Sequence, residues 1–127
     1  MGSRQIARIA NRIRFLISTI ILKELSDPRI GLVTILKVEP THDLREAKVY
    51  FSVFGDASVR TRTYHAIQRA RGFIQRELGK NIETRNTPRL LFILDETHEK
   101  LTRFENLMDK AIQEEQNIHG EETHQEI

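Results

Sequence analysis

The chain has 127 residues, enough for one compact domain and too few for a second domain that could stand alone. It contains no cysteine, which excludes disulfides, thiolate metal ligands and cysteine nucleophiles and fits a cytoplasmic location. Residues 1–94 carry a net charge of +9 and residues 95–127 a net charge of −7. A basic body with an acidic end is typical of a protein that binds nucleic acid. No apolar run reaches the roughly 20 residues of a membrane span, so no contact with a membrane is expected.

The first predicted element is an amphipathic helix over residues 3–25. Isoleucine and leucine recur on one face of it with a period of 3.6 residues. Arg4, Arg8 and Arg12 recur at every fourth position on the opposite face. The helix is expected to end before Pro28, because proline has no amide donor and disfavours helical geometry in the residue before it.

Two strands are predicted next, over residues 31–38 and 47–54, and both are rich in β-branched and aromatic side chains. A turn at residues 40–44 separates them, so we expect an antiparallel hairpin. The second strand alternates between an apolar and a polar face, with Val49, Phe51 and Val53 against Lys48, Tyr50 and Ser52.

A long helical pattern follows, with Asp56 or Ser58 as its candidate N-cap. Its apolar residues keep a 3.6-residue period from Val59 to Ile82, straight through Gly72. Four basic residues lie beside this apolar stripe and form one ridge if the helix is continuous, or two converging ridges if it bends: Arg62, Arg69, Arg76 and Lys80.

Gly72 needs an explanation, because glycine inside a helix costs about 1 kcal/mol relative to alanine. Either it lets another element pack closely, or it divides two helices at a bend. Exposed amides at such a bend, together with the neighbouring arginines, would suit a phosphate backbone.

The third predicted strand covers residues 89–94 and is apolar on both faces, so it is expected to be central in its sheet. A last helix is predicted over residues 99–118. We therefore predict one domain, residues 1–118, with all helices on one face of a three-stranded sheet, followed by a flexible acidic tail at residues 119–127.

The chain shows little that would support catalysis. Neither glycine-rich phosphate-binding pattern occurs, and the five histidines lack the spacing of metal ligands, so no metal and no cofactor are expected. A small hydrolase using Asp95 or His98 is a weak alternative, because nothing near them in sequence supplies a nucleophile and its base. We expect a protein that is not an enzyme.

Five short motifs in this order resemble the ribosome-binding factor A family, and the resemblance runs from about Arg4 to Ile112. They are Asp27-Pro28-Arg29-Ile30, Asp43-Leu44-Arg45-Glu46-Ala47-Lys48-Val49-Tyr50, Ala70-Arg71-Gly72-Phe73-Ile74, Thr87-Pro88-Arg89-Leu90-Leu91-Phe92 and Asp95-Glu96.

The resemblance implies an α+β, type II KH-like fold in the order helix, strand, strand, helix, helix, strand, with a three-stranded sheet backed by helices and a further C-terminal helix. In this family an Ala-x-Gly helical kink replaces the usual G-x-x-G loop, and here it would be Ala70-Arg71-Gly72. The resemblance also implies a factor without enzymatic activity. Such a factor binds the small (30S) ribosomal subunit during late maturation of its RNA and is associated with growth in the cold.

The expected partners are thus the small ribosomal subunit and its RNA, bound by a protein that is monomeric when free. The alternative is a protein-interaction domain whose basic face engages an acidic protein. For Arg4, Arg8 and Arg12, a solvated helix face is an equal alternative to contact with RNA. Lys37 and Lys48 could extend the RNA-binding surface across the sheet or merely solubilise it. The candidate RNA-binding residues are Arg4, Arg8, Arg12, Lys37, Lys48, Arg62, Arg69, Arg71, Arg76 and Lys80, with Ala70 and Gly72 at the kink.

Overall fold

The structure, a computed structural model, describes residues 2–25, 29–97 and 104–114. The chain divides into two compact units, Met1–Asp95 and Glu96–Ile127. In the second unit residues 104–114 are helical, inside the helix predicted over residues 99–118, while the predicted tail at residues 119–127 lies outside the described residues. The first unit contains α1 (Ser3–Glu24), β1 (Leu32–Pro40), β2 (Glu46–Phe54), α2 (Ala57–Asn81) and β3 (Arg89–Leu94).

The three strands form one sheet in the order β1-β2-β3. β1 and β2 are antiparallel, which confirms the predicted hairpin, and a bulge at Leu36 shifts their register between Ile35 and Lys37. β3 pairs in parallel with β2. The prediction that the third strand is central is therefore wrong, because β2 holds that position and β3 lies at an edge.

The core lies between the sheet and the two helices of the first unit. Val49, Phe51 and Val53 of β2 are buried, as their alternation predicts, and both α1 and α2 pack on this side of the sheet. Phe51 is at the centre, with its ring centroid 6.5 Å from that of Tyr64 and 6.3 Å from that of Phe92. The expected α+β arrangement of helices backing a three-stranded sheet is the one observed.

α2 begins at the predicted N-cap, because the carboxylate of Asp56 accepts a hydrogen bond of 2.9 Å from the amide of Val59. From there the helix runs without interruption to Asn81. The expected division into two helices at Ala70–Gly72 is not observed, and the 3.6-residue apolar period that passes through Gly72 gives the physical reason. Both sides of the glycine pack one continuous apolar stripe onto the same core.

Candidate nucleic-acid interface

The continuous helix α2 aligns four basic side chains in a single row, which consists of Arg62, Arg69, Arg76 and Lys80. All four residues are exposed. Their spacings of seven, seven and four residues place them within about 40° around the helix axis. At 1.5 Å of rise per residue the row is about 27 Å long. Of the two arrangements that the sequence left open, the structure has the single ridge.

The two ends of this row are partly engaged within the protein. Arg62 Nη1 donates a hydrogen bond of 3.0 Å to the carbonyl oxygen of Arg29. Lys80 Nζ lies 3.0 Å from Glu77 Oε1 in an exposed pair of the kind that contributes little to stability. Arg69 and Arg76 have no hydrogen-bond or ion-pair partner among the described residues. The middle of the row therefore carries the guanidinium groups that are available to a partner.

Gly72 lies on the same face, three residues after Arg69 and four before Arg76, and it is exposed. A Cβ built on Gly72 would meet only Arg76 Nη1, at 3.8 Å, and no other element. Close packing against a neighbouring helix or strand is thus excluded as the reason for this glycine. Gly72 instead leaves the helix backbone uncovered between Arg69 and Arg76, neither of which has a partner among the described residues.

Arg71 does not join the row. It follows Arg69 by two residues, which is about 200° around the helix axis, and it is only half-exposed. The adjacent Ala70 packs against the core. The spacing alone could have separated Arg71 from the other candidates.

The α1 arginines lie in the same layer of the molecule as the α2 row. Arg4, Arg8 and Arg12 are all exposed on α1, and α1 packs against α2 on one side of the sheet. The guanidinium carbon of Arg12 is 6.0 Å from the centroid of the Phe15 ring, at the outer limit of a cation–π contact. The helical layer thus gathers the candidates of both helices.

Lys37 and Lys48 are on the opposite face of the sheet. Lys37 pairs with Tyr50 and Lys48 with Glu39 across the β1–β2 ladder, while Val38 after Lys37 and both neighbours of Lys48 are buried in the core. Lys37 Nζ is 2.9 Å from Glu39 Oε1 and 4.7 Å from the centroid of the Tyr50 ring. The hydrogen bond with Lys37 lowers the pKa of Glu39 and raises that of Lys37. The structure does not bring these lysines together with the α2 row.

Neither metal ligation nor a membrane span has support in the part of the chain that the structure describes. It contains no group of three or more histidine, aspartate or glutamate side chains placed to hold a metal ion. None of its helices is long and apolar enough to cross a membrane. Of the two residues considered for hydrolysis, Asp95 is half-buried directly after β3, and His98 lies outside the described residues.

Fold and surface together define a class: a small α+β, KH-like domain with a basic row on its helical layer. The family model for ribosome-binding factor A matches residues 5–108. The chain belongs to the ribosome-binding factor A family.

Named relatives support this assignment over nearly full length. The chain is 40% identical to ribosome-binding factor A of Thioalkalivibrio sulfidiphilus over 115 residues, covering 91% of this chain and 89% of that protein. It is 38% identical to that of Finegoldia magna over 117 residues, covering 91% and 96%.

Solved structures share the fold. The solution structure of a Thermotoga maritima protein matches with a TM-score of 0.62 and 30% identity, covering 73% of this chain and 89% of that one. A homology model of Thermus thermophilus ribosome-binding factor A, fitted into a cryo-EM map of a 30S complex, matches with a TM-score of 0.57 and 25% identity, covering 68% and 91%.

Proposed function

We propose that this protein is an assembly factor without enzymatic activity that binds the small ribosomal subunit in the cytoplasm. It assists the late maturation of the subunit's RNA and supports growth in the cold. Membership of the family gives the class of partner, and the 30S complex of the Thermus relative supports the same subunit as the target. The observation that carries the proposal is the row of exposed basic side chains on α2.

The row acts on the RNA backbone. Arginine and lysine contacts with phosphates supply sequence-independent affinity, and shape rather than base identity selects the site on folded RNA. Arg69 and Arg76 are the first residues to contact the RNA, because neither guanidinium is bonded to another described residue. The open backbone at Gly72 lets a phosphate group approach α2 between them. Arg4, Arg8 and Arg12 extend the contact along α1.

The protein works by occupancy. It holds immature RNA in one arrangement, and later assembly steps displace it. No covalent chemistry is needed for this role, since the rearrangement is driven by the difference in affinity between immature and mature subunits.

The proposal is tested by reversing the charge of both free arginines, Arg69→Glu with Arg76→Glu. Affinity for purified small subunits at moderate salt is expected to fall at least about tenfold, because two phosphate contacts become repulsive. The melting temperature should stay nearly unchanged, since both side chains are exposed and have no partner among the described residues. Sedimentation with labelled protein measures the first quantity and circular dichroism the second.

The double variant Lys37→Glu with Lys48→Glu is the matched comparison, with the same change in net charge on the opposite face of the sheet. It should retain most of the affinity. Equal affinity of the Arg69/Arg76 variant and the unmodified protein would contradict the proposal. If the chain co-purifies with an acidic protein and this complex survives nuclease treatment, the alternative of a protein-interaction domain is favoured instead.

A further inference from the structure

An open cavity of about 550 Å³ lies where three separate segments of the first unit meet: the first turns of α1, the β1–β2 turn and the segment after α2. Its volume is in the range of roughly 300–1,000 Å³ found for small-ligand sites. It lies beyond the C-terminal end of α2 and so beyond the Lys80 end of the basic row. None of the residues singled out for binding in the sequence, apart from Arg8, lines it.

The floor of the cavity is apolar and held in a fixed shape. Ile9 is half-buried and Leu44 is only 8% exposed. Leu44 has φ = 56°, the one positive φ of a non-glycine residue in the described part of the chain. Several hydrogen bonds fix this turn: among them, Leu44 N donates to the Thr41 carbonyl at 3.0 Å, and Thr41 Oγ1 donates to Asp43 Oδ1 at 2.7 Å. A strained residue held in this way is more common at binding sites than elsewhere.

Four charged residues line the cavity, and three of them are not engaged within the protein, whereas Asp43 is bonded to Thr41 and Arg45. Arg8 lines the cavity from α1, and Glu83 and Arg85 line it from the segment after α2. All three are exposed, and none has a hydrogen-bond or ion-pair partner among the described residues. Guanidinium groups bind phosphate through parallel N–H bonds. A carboxylate accepts two parallel donors, which is what the N1–H and N2–H₂ groups of guanine offer.

We propose that this cavity binds one unpaired guanosine nucleotide of an RNA strand. The base packs on Leu44 and Ile9, its Watson–Crick edge donates to Glu83, and its phosphate lies against Arg8 and Arg85. The assignment to RNA rests on the proposed function, whereas the affinity for a nucleotide rests on the cavity. With this site the protein reads one base at the end of a surface that otherwise contacts only backbone.

The first test is a titration of the full chain with the four nucleoside 5′-monophosphates, followed by ¹H–¹⁵N correlation spectra. GMP is expected to shift the amide signals of Ile9, Leu44 and Arg85 at lower concentration than AMP, CMP or UMP. A uridine trinucleotide with one central guanosine should bind more tightly than GMP. Absence of shifts, equal response to all four nucleotides, or equal affinity for GMP and the trinucleotide would each overturn the proposal.

Two variants separate the contact with phosphate from the contact with the base. Arg85→Ala should weaken GMP and AMP alike by about tenfold, since one charge-assisted contact is lost. Glu83→Gln should weaken GMP alone and bring its affinity close to that of AMP. Arg14→Ala, an exposed α1 arginine that does not line the cavity, is the control and should leave both affinities unchanged.

The nucleotide titration and the test of subunit binding can each fail without the other failing. If Arg69→Glu with Arg76→Glu releases small subunits while Arg85→Ala and Glu83→Gln leave nucleotide affinity unaltered, the proposed function stands and the nucleotide site is refuted. If GMP binds as expected and the Arg69/Arg76 variant retains full subunit affinity, the nucleotide site stands and the role of the α2 row is refuted.

Discussion

Gly31 and Gly72 are in different environments, and only one of the two glycines is required by packing. A Cβ on Gly31 would overlap the carbonyl oxygen of Phe54, and the Gly31 amide donates a hydrogen bond of 3.0 Å to Thr63 Oγ1. Gly31 is therefore required by the close approach of two backbones. Gly72 faces open space apart from the tip of Arg76. Packing requires the first glycine and gives no reason for the second.

The substitution Gly72→Ala is expected to raise the free energy of unfolding by about 0.5–1 kcal/mol, because alanine loses less backbone entropy in a helix. Affinity for small subunits should fall at the same time, since a methyl group would stand where a phosphate approaches the backbone. Urea denaturation and co-sedimentation measure the two effects.

Gly31→Ala is the control for the stability measurement and should be destabilising. A Gly72→Ala protein that is more stable and still binds small subunits with full affinity would remove Gly72 from the binding surface.

At the scale of elements, β3 is held against α2 by hydrogen bonds with two glutamine side chains of that helix. Gln75 Nε2 donates to the Pro88 carbonyl at 2.5 Å, and Gln75 Oε1 accepts from the Leu90 amide at 3.0 Å. Gln68 Nε2 donates to the Phe92 carbonyl at 3.2 Å. The glutamines thus satisfy alternate backbone groups along the strand edge that faces away from β2. Covering an edge in this way also prevents it from pairing with another chain.

Replacing Gln75 with alanine should cost about 1–3 kcal/mol of unfolding free energy, because the Leu90 amide and the Pro88 carbonyl both lose their partner. Hydrogen exchange of the Leu90 amide should accelerate. Gln68→Ala, which removes a single and longer hydrogen bond, should have a smaller effect. Unchanged exchange at Leu90 in the Gln75 variant would show that another group satisfies this amide.

Local sequence patterns were sufficient to predict most of the helices and strands. The boundaries of α1, the hairpin and the Asp56 cap follow from periodicity, alternation and capping chemistry within a few residues of sequence. The position of β3 could not be found in this way. Its apolar residues suggest a central strand, but Leu91 and Ile93 are only half-buried on the outer face of the sheet. Which strand is central depends on pairing between distant segments.

The candidate interface was predictable to a similar extent. Helical spacing identifies the row from Arg62 to Lys80 and, applied strictly, also separates Arg71 from it. The alternation of β2 places Lys48 away from the core, but only the pairing of β1 with β2 shows that Lys37 lies on the same face of the sheet. The cavity at Arg85 was not predictable, since its three segments meet only in the folded chain.

At the scale of the whole molecule, the basic charge of residues 1–94 is divided between two faces with different properties. The helical layer presents Arg69 and Arg76 without a partner among the described residues. On the opposite face Lys37 is paired with Glu39. The helical layer therefore offers a polyanion two guanidinium groups that no described carboxylate neutralises, whereas Lys37 on the other face is already paired.

This division predicts how binding responds to salt. Replacing Arg69 and Arg76 together by alanine should reduce the slope of log affinity for single-stranded RNA against log salt concentration by about 1.4, or roughly 0.7 for each phosphate contact. Replacing Lys37 and Lys48 by alanine should leave the slope nearly unchanged. Fluorescence anisotropy with a labelled oligonucleotide at several salt concentrations gives both slopes. An equal reduction in both variants would mean that the two faces contribute alike.

The parallel pairing of β2 with β3 also determines the order in which the sheet can form. The hairpin joins Pro40 to Ala47, which are close in sequence, whereas β3 must bring Arg89 back to Glu46 across the whole of α2. Closing the longer loop costs more chain entropy, so we expect the hairpin to form early and β3 to dock last. During its own synthesis the chain therefore cannot close its sheet until Leu94 has left the ribosome, and one side of β2 stays open until then.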